Sequence, residues 1–171
     1  MVSQYYAKWY HITVREALAL QPFQGPFEDF ASDLAHSIFP KITRTEVITA
    51  LEFLHKNGFI IKNKSGHWEA KHKSLTAGST ELGKTYLRDF QYQMMDLAKD
   101  ALYQVEPTQR NISCTTMSIS GDGMRKIRDR ISEFHTEVVQ LIQADYEEDR
   151  LYQFNIQFFP VGGDYQDEKV I

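Results

Sequence analysis

Residues 41–73 contain the clearest chemical signal in the chain: seven lysines and arginines against three glutamates. That segment carries a net charge of +4 in a protein of net charge −4, so the remainder carries −8. A local concentration of Lys and Arg is what phosphate neutralisation requires. The candidate DNA-contacting residues are Arg44, Thr45, Thr49 and Lys56, followed by Lys62, Lys64, Lys71 and Lys73. Glu46 and Glu52 lie among them and repel phosphate unless they read a cytosine amino group. Four lysine–phosphate contacts give a salt slope of only about −3.6, so the expected contact is weak. A competing reading is that the lysines keep a hairpin soluble and blunt its edge.

Other chemistries find less support. His67 and His72 flank "WEAK" but point to opposite sides of a strand, so they do not converge on a metal. Cys114, the single cysteine, sits among Ser and Thr in a β-branched run and reads as a small packing residue. No nucleophile–base spacing, GxSxG or phosphate loop accompanies it, and neither an enzyme nor a bound cofactor is expected. Tyr5, Tyr6, Trp9 and Tyr10 could line a ligand pocket, as could the amides Gln153, Asn155 and Gln157. Core packing accounts for the first group and a solvated sheet face for the second.

These residues must be positioned by elements that the pattern makes visible. Helical spacing predicts a first helix over 3–20, ended by Pro22, Gly25 and Pro26, and a second over 27–38, closed by Pro40. A third starts at Thr43, with Glu46 at the capping-box position and Val47, Leu51 and Leu54 as its core face. Asn57-Gly58 supplies a left-handed C-terminal cap. Two short strands then flank the turn "NKSG". Three helices and a hairpin make the order of a winged helix.

A long helix follows over about 79–105, capped by Ser79 or Thr80. Tyr86, Phe90, Met94, Leu97, Ala101 and Val105 form one stripe and Leu87, Met95, Ala98 and Leu102 a neighbouring one. So wide an apolar arc is expected to be covered from two sides. The last third reads strand, helix, strand. "NISCTTMSIS" is β-branched, "GDG" breaks it with Asp122 as the cap, and Met124, Ile127, Ile131, Phe134, Val138 and Leu141 repeat as a heptad seam. Residues 151–159 alternate, with Tyr152, Phe154, Ile156 and Phe158 on one side. "PVGGDYQDEKVI" reads as a flexible tail.

Two strands make a marginal sheet with open edges. A second copy that pairs with one edge and covers the seam removes that difficulty, so a homodimer is expected. Its interface would use those six seam residues and the four aromatic and aliphatic residues of the last strand. One cysteine and the absence of a secretory leader or membrane-length apolar run suit a reducing cytoplasm.

"YYAKWYHITVREAL", "SISGDGMRKIRDRISEFH" and "RLYQFNIQFFP" resemble an uncharacterised bacterial family, the Fibrobacter paralogous family, whose conserved part is a domain of unknown function. The resemblance spans nearly the whole chain. It implies a regulator in which a helical DNA-binding segment precedes the region seen here, and it supplies no catalytic residues.

The resulting expectation is an α+β protein: a winged helix-turn-helix over 1–74, a connecting helix over 75–106, a strand–helix–strand dimerisation module over 107–160 and a tail over 161–171. Its expected role is that of the C-terminal effector and dimerisation region of a bacterial transcription regulator, touching duplex DNA weakly. The alternative is a signalling module whose winged helix binds a protein partner.

Overall fold

The computed structural model describes residues 2–20, 22–71 and 81–163. It is a mixed α and β structure in which one helix, α4 (Arg44–Lys56), organises the N-terminal half. Val47, Ala50, Leu51 and Leu54 on α4 are all sealed from solvent, and their spacing places them on one face. α2 (Trp9–Ala17) and α3 (Phe27–Ser37) pack on that face. Val14 and Ala17 come from α2, and Phe30, Ala31 and Leu34 from α3.

Both ends of α4 are closed by local chemistry. The Thr43 hydroxyl accepts from the Glu46 N–H at 3.2 Å, and the Glu46 carboxylate accepts from the Thr43 N–H at 2.8 Å. This reciprocal pair satisfies two otherwise orphaned donors. Hydrogen bonds from the Thr43 backbone and hydroxyl hold the Glu46 carboxyl below its usual pKa. At the other end Gly58 takes a φ of +72°, which favours glycine. The Gly58 N–H donates to the His55 carbonyl and the Phe59 N–H to the Leu54 carbonyl, a pairing that turns the chain out of the helix.

The chain then enters β1 (Ile60–Lys62), which pairs antiparallel with β2 (Trp68–Ala70) in the register Ile60–Ala70, Ile61–Glu69 and Lys62–Trp68. Asn63 builds the turn, its side-chain oxygen accepting from the N–H groups of Ser65 and His67. Gly66, at φ +84°, completes it. The hairpin is pinned to the α2–α3 connection. Trp68 donates its backbone N–H to Phe23 and its indole N–H to the Gly25 carbonyl, and Gln24 bridges His67.

The helix expected over 3–20 is two helices, α1 (Val2–Tyr5) and α2, separated at residues 6–8. No local side chain caps α2. Instead the Trp9 N–H donates to Gln93 Oε1 at 2.9 Å, from 84 residues away. Gln93 belongs to α5 (Glu81–Gln104), 24 residues long and so about 36 Å. α5 lies against α1 and α2, with Phe90 edge-on to Tyr6 and Met94 buried. Its second stripe is not covered as expected: Met95 and Leu102 remain exposed, because its contacts with these helices lie along the first stripe. The expected cap at Ser79 or Thr80, and the boundary at 74/75, lie outside the described residues.

A short 3-10 turn (Pro107–Gln109) leads to α6 (Gly121–Ala144). Ser120, not Asp122, caps α6, its hydroxyl accepting from the Gly123 N–H at 3.1 Å. Asp122 sits in the first turn and pairs with Lys126 at 2.8 Å. The two strands expected on either side of α6 are absent from the single copy. Residues 111–120 and 146–160 run without turn or bend, but neither pairs in a backbone ladder. Alternation selects an extended chain, but a strand also needs a neighbour to hydrogen-bond. Of the expected tail, residues 164–171 lie outside the described residues.

Replacing Thr43 by Ala should destabilise the fold by about 1 kcal/mol at neutral pH, and Thr43→Ser should retain most of the stability. Because Glu46 has its pKa lowered by the cap, the contribution is complete above the ordinary glutamate range and fades as the pH falls through the lowered value. Urea titrations of both variants at pH 7 and pH 3 check the size and the sign.

Candidate functional site: a basic hairpin and an open apolar third

The seven candidate DNA-contacting residues among the described residues do not form one surface. Thr45, Thr49, Glu52 and Lys56 make an exposed stripe on α4 opposite its buried face. Arg44 turns away from it and donates to the Glu28 carbonyl at 2.9 Å. Cross-strand register places Lys62 opposite Trp68, the inward-facing residue of β2, and its ammonium lies 5.5 Å from the indole centroid. That geometry is a cation–π contact. The opposite face of the hairpin shows Ile61 and Glu69, and Glu69 accepts from the Asn63 side chain at 2.9 Å. Lys64 at the turn and Lys71 at the hairpin's end are exposed. Lys73 lies outside the described residues.

Lys41 and His36 join Arg44 around a surface pocket of about 190 Å³ at the start of α4, with Ser32, Ala35 and Ile42. Lys41 belongs to the charge of residues 41–73 but not to the eight candidate contacts. Its position two residues before the helix cap was the available signal. The cap itself is occupied by the Glu46 carboxylate, which counters an anion there. His67 faces Gln24, and His72 lies outside the described residues.

The aromatic cluster near the N-terminus is packing. Tyr5 stacks on Phe59 at 4.5 Å and Tyr6 meets Phe90 at 5.4 Å, while Trp9 and Tyr10 lie against the core. His11 stacks on Phe53, and burial pushes its pKa below the ordinary histidine value. Its Nδ1 lies 3.0 Å from the Gln4 carbonyl, which fixes that nitrogen as the protonated one.

The C-terminal third presents a different surface. α6 buries no residue and shares no sizeable interface with any other named helix or strand. Along its seam, Met124, Ile127, Ile131 and Val138 are half-buried, whereas Phe134 and Leu141 are 51% and 71% exposed. Ile127, Ile131 and Phe134 form a shallow concavity with Lys126 and Arg130 at its edge. All ten residues of 111–120 are exposed, including Ile112, Met117, Ile119 and Cys114. Cys114 is therefore not a packing residue within the single copy.

Residues 151–159 are better anchored. Leu151 packs against the core. The Asn155 amide donates to the Met94 carbonyl on α5 at 2.8 Å, so this amide is not part of a solvated face, although Gln153 and Gln157 are exposed. On the other side, Phe154 meets the Phe134 ring at 5.8 Å and stacks beside His135. Tyr152, Phe154, Ile156 and Phe158 all remain exposed.

An α+β protein with a closed helical core, a hairpin and an uncovered apolar third is thus defined. The chain belongs to the family described as a domain of unknown function, DUF4423, whose family model matches residues 2–161. No curated protein and no solved structure matches it. Among the described residues no helix is long and apolar enough to cross a membrane.

Removing the Asn155 amide should loosen the last segment from α5. Asn155→Ala is expected to cost about 1 kcal/mol and to speed proteolytic cleavage within 151–163 several-fold. Asn155→Asp, which sets a carboxylate against the Met94 carbonyl, should be worse. Unchanged cleavage in both variants would contradict the anchoring role.

Proposed function

We propose that this chain is the effector and dimerisation region of a bacterial transcription regulator, acting as a homodimer. Residues 111–159 would join the two copies, and residues 1–74 would form a winged helix. The carrying observation is the contrast between a sealed core around α4 and the exposed apolar residues of 111–159. Apolar surface of that extent belongs to an interface. The helix order and the hairpin after α4 support the winged-helix reading. In the regulator, a helix-turn-helix segment preceding this region supplies the main reading of the operator.

In this reading DNA contact by the hairpin is a minor, electrostatic contribution. Exposed Lys64 and Lys71 would meet the phosphates, whereas Lys62 lies over Trp68. The second reading, a winged helix that docks a protein, is favoured by Ile61 and Glu69 on the hairpin's other face and by Glu52 on the α4 stripe. Neither reading assigns the chain a reaction.

Light scattering at tens of micromolar should give twice the chain mass; a monomer there contradicts the dimer. Duplex affinity separates the two winged-helix readings. If Lys64, Lys71 and Lys73 each meet a phosphate, affinity falls roughly 40-fold between 50 and 200 mM salt. It is then lost when these three and Lys62 become Glu. No duplex binding at 50 mM salt assigns the hairpin to a protein partner.

A further inference from the structure

We infer that the second copy lies antiparallel along α6, with Arg130 of each subunit facing Glu137 of the other. This rests on the homodimer proposed above and specifies how the copies meet.

The inference starts from the uneven charge of α6. All four of its basic residues, Arg125, Lys126, Arg128 and Arg130, fall in its first ten positions beside Asp122 and Asp129, so that stretch carries +2. From residue 131 to 149 there is no lysine or arginine, and Glu133, Glu137, Asp145, Glu147, Glu148 and Asp149 follow one another. A parallel pair would set basic half against basic half. An antiparallel pair sets each basic half against an acidic one, and two-fold symmetry makes the match twice. Asp145, at the end of α6, then falls beside the N-terminus of the neighbouring helix, where a negative charge is favoured.

The open side of the helix gives the register. The chain's own residues 151–159 occupy one flank of the seam, where Phe154 meets Phe134 and His135. The concavity of Ile127, Ile131 and Phe134, rimmed by Lys126 and Arg130, is open. The heptad seam from Met124 to Leu141 is centred between residues 132 and 133. Folding it back on itself sets Ile127 level with Val138 of the partner subunit, and Ile131 level with Phe134 of the partner subunit. Phe134 of the partner subunit, level with the middle of the concavity, therefore fills it as a knob in a hole. On the open flank, Glu137 of the partner subunit then comes within reach of Arg130, which among the described residues pairs with exposed Glu133.

Nitroxide labels distinguish the arrangements. Single cysteines replace Thr136 and Gln143, both on the outer face of α6, in the full chain carrying Cys114→Ser. Helix pairing in opposite directions predicts a label-to-label distance roughly 10 Å longer at 143 than at 136. In the same dimer, Arg130→Glu and Glu137→Arg should each weaken self-association roughly tenfold, and the double exchange should restore it. Equal distances at the two positions in a protein that is still dimeric overturn the antiparallel arrangement while leaving the homodimer intact. A double exchange no better than either single variant overturns the Arg130–Glu137 contact. A monomer at tens of micromolar overturns the homodimer and this arrangement together.

Discussion

The N-terminal half depends on the burial of one face of α4. Val47, Ala50, Leu51 and Leu54 have no exposure, and α2, α3 and β1 each contribute apolar side chains to the same core. The capping box at Thr43 and the Gly58 turn fix where that face begins and ends. A helix of fixed length sets where β1 starts, and β1 sets the register of the hairpin. The register in turn sends Lys62 over Trp68 and leaves Ile61 and Glu69 outside. The distribution of charge on the hairpin is therefore a consequence of packing several residues earlier.

No comparable centre exists in residues 111–159. α6 is as long as α5 but buries nothing, and the segments beside it lack a ladder. Holding a residue in one backbone conformation costs roughly 1–2 kcal/mol in entropy, and no residue of 111–120 is buried in the single copy to offset it. Residues 151–159 are held through Leu151, Asn155 and Phe154. The half of the molecule that satisfies its own backbone and the half that does not divide near α5, which touches both: Gln93 caps α2 and the Met94 carbonyl anchors Asn155.

Features set by neighbouring residues were legible in the sequence. Thr43 and Glu46 are three apart, and Asn57-Gly58 adjoin, so cap and turn could be placed without knowing the fold. Features set at a distance were not. The break at residues 6–8 is stabilised by a side chain 84 positions away. Between Ser120 and Asp122, two residues of cap type, the extended backbone at Ser120 decides. The placing of Lys62 over Trp68 depends on cross-strand register, which composition does not carry. The alternation in 151–159 is a pattern within one segment, whereas a strand is a property of two. The candidate basic surface was consequently legible as charge and not as geometry.

The central claim is that residues 111–120 and 151–159 complete their hydrogen bonding against a second copy. Amide hydrogen exchange followed as a function of protein concentration tests it most directly. The account predicts that these two segments become protected as the chain is concentrated from well below a micromolar to tens of micromolar, while protection in α2, α3 and α4 stays constant. Equally fast exchange in both segments at every concentration would contradict it.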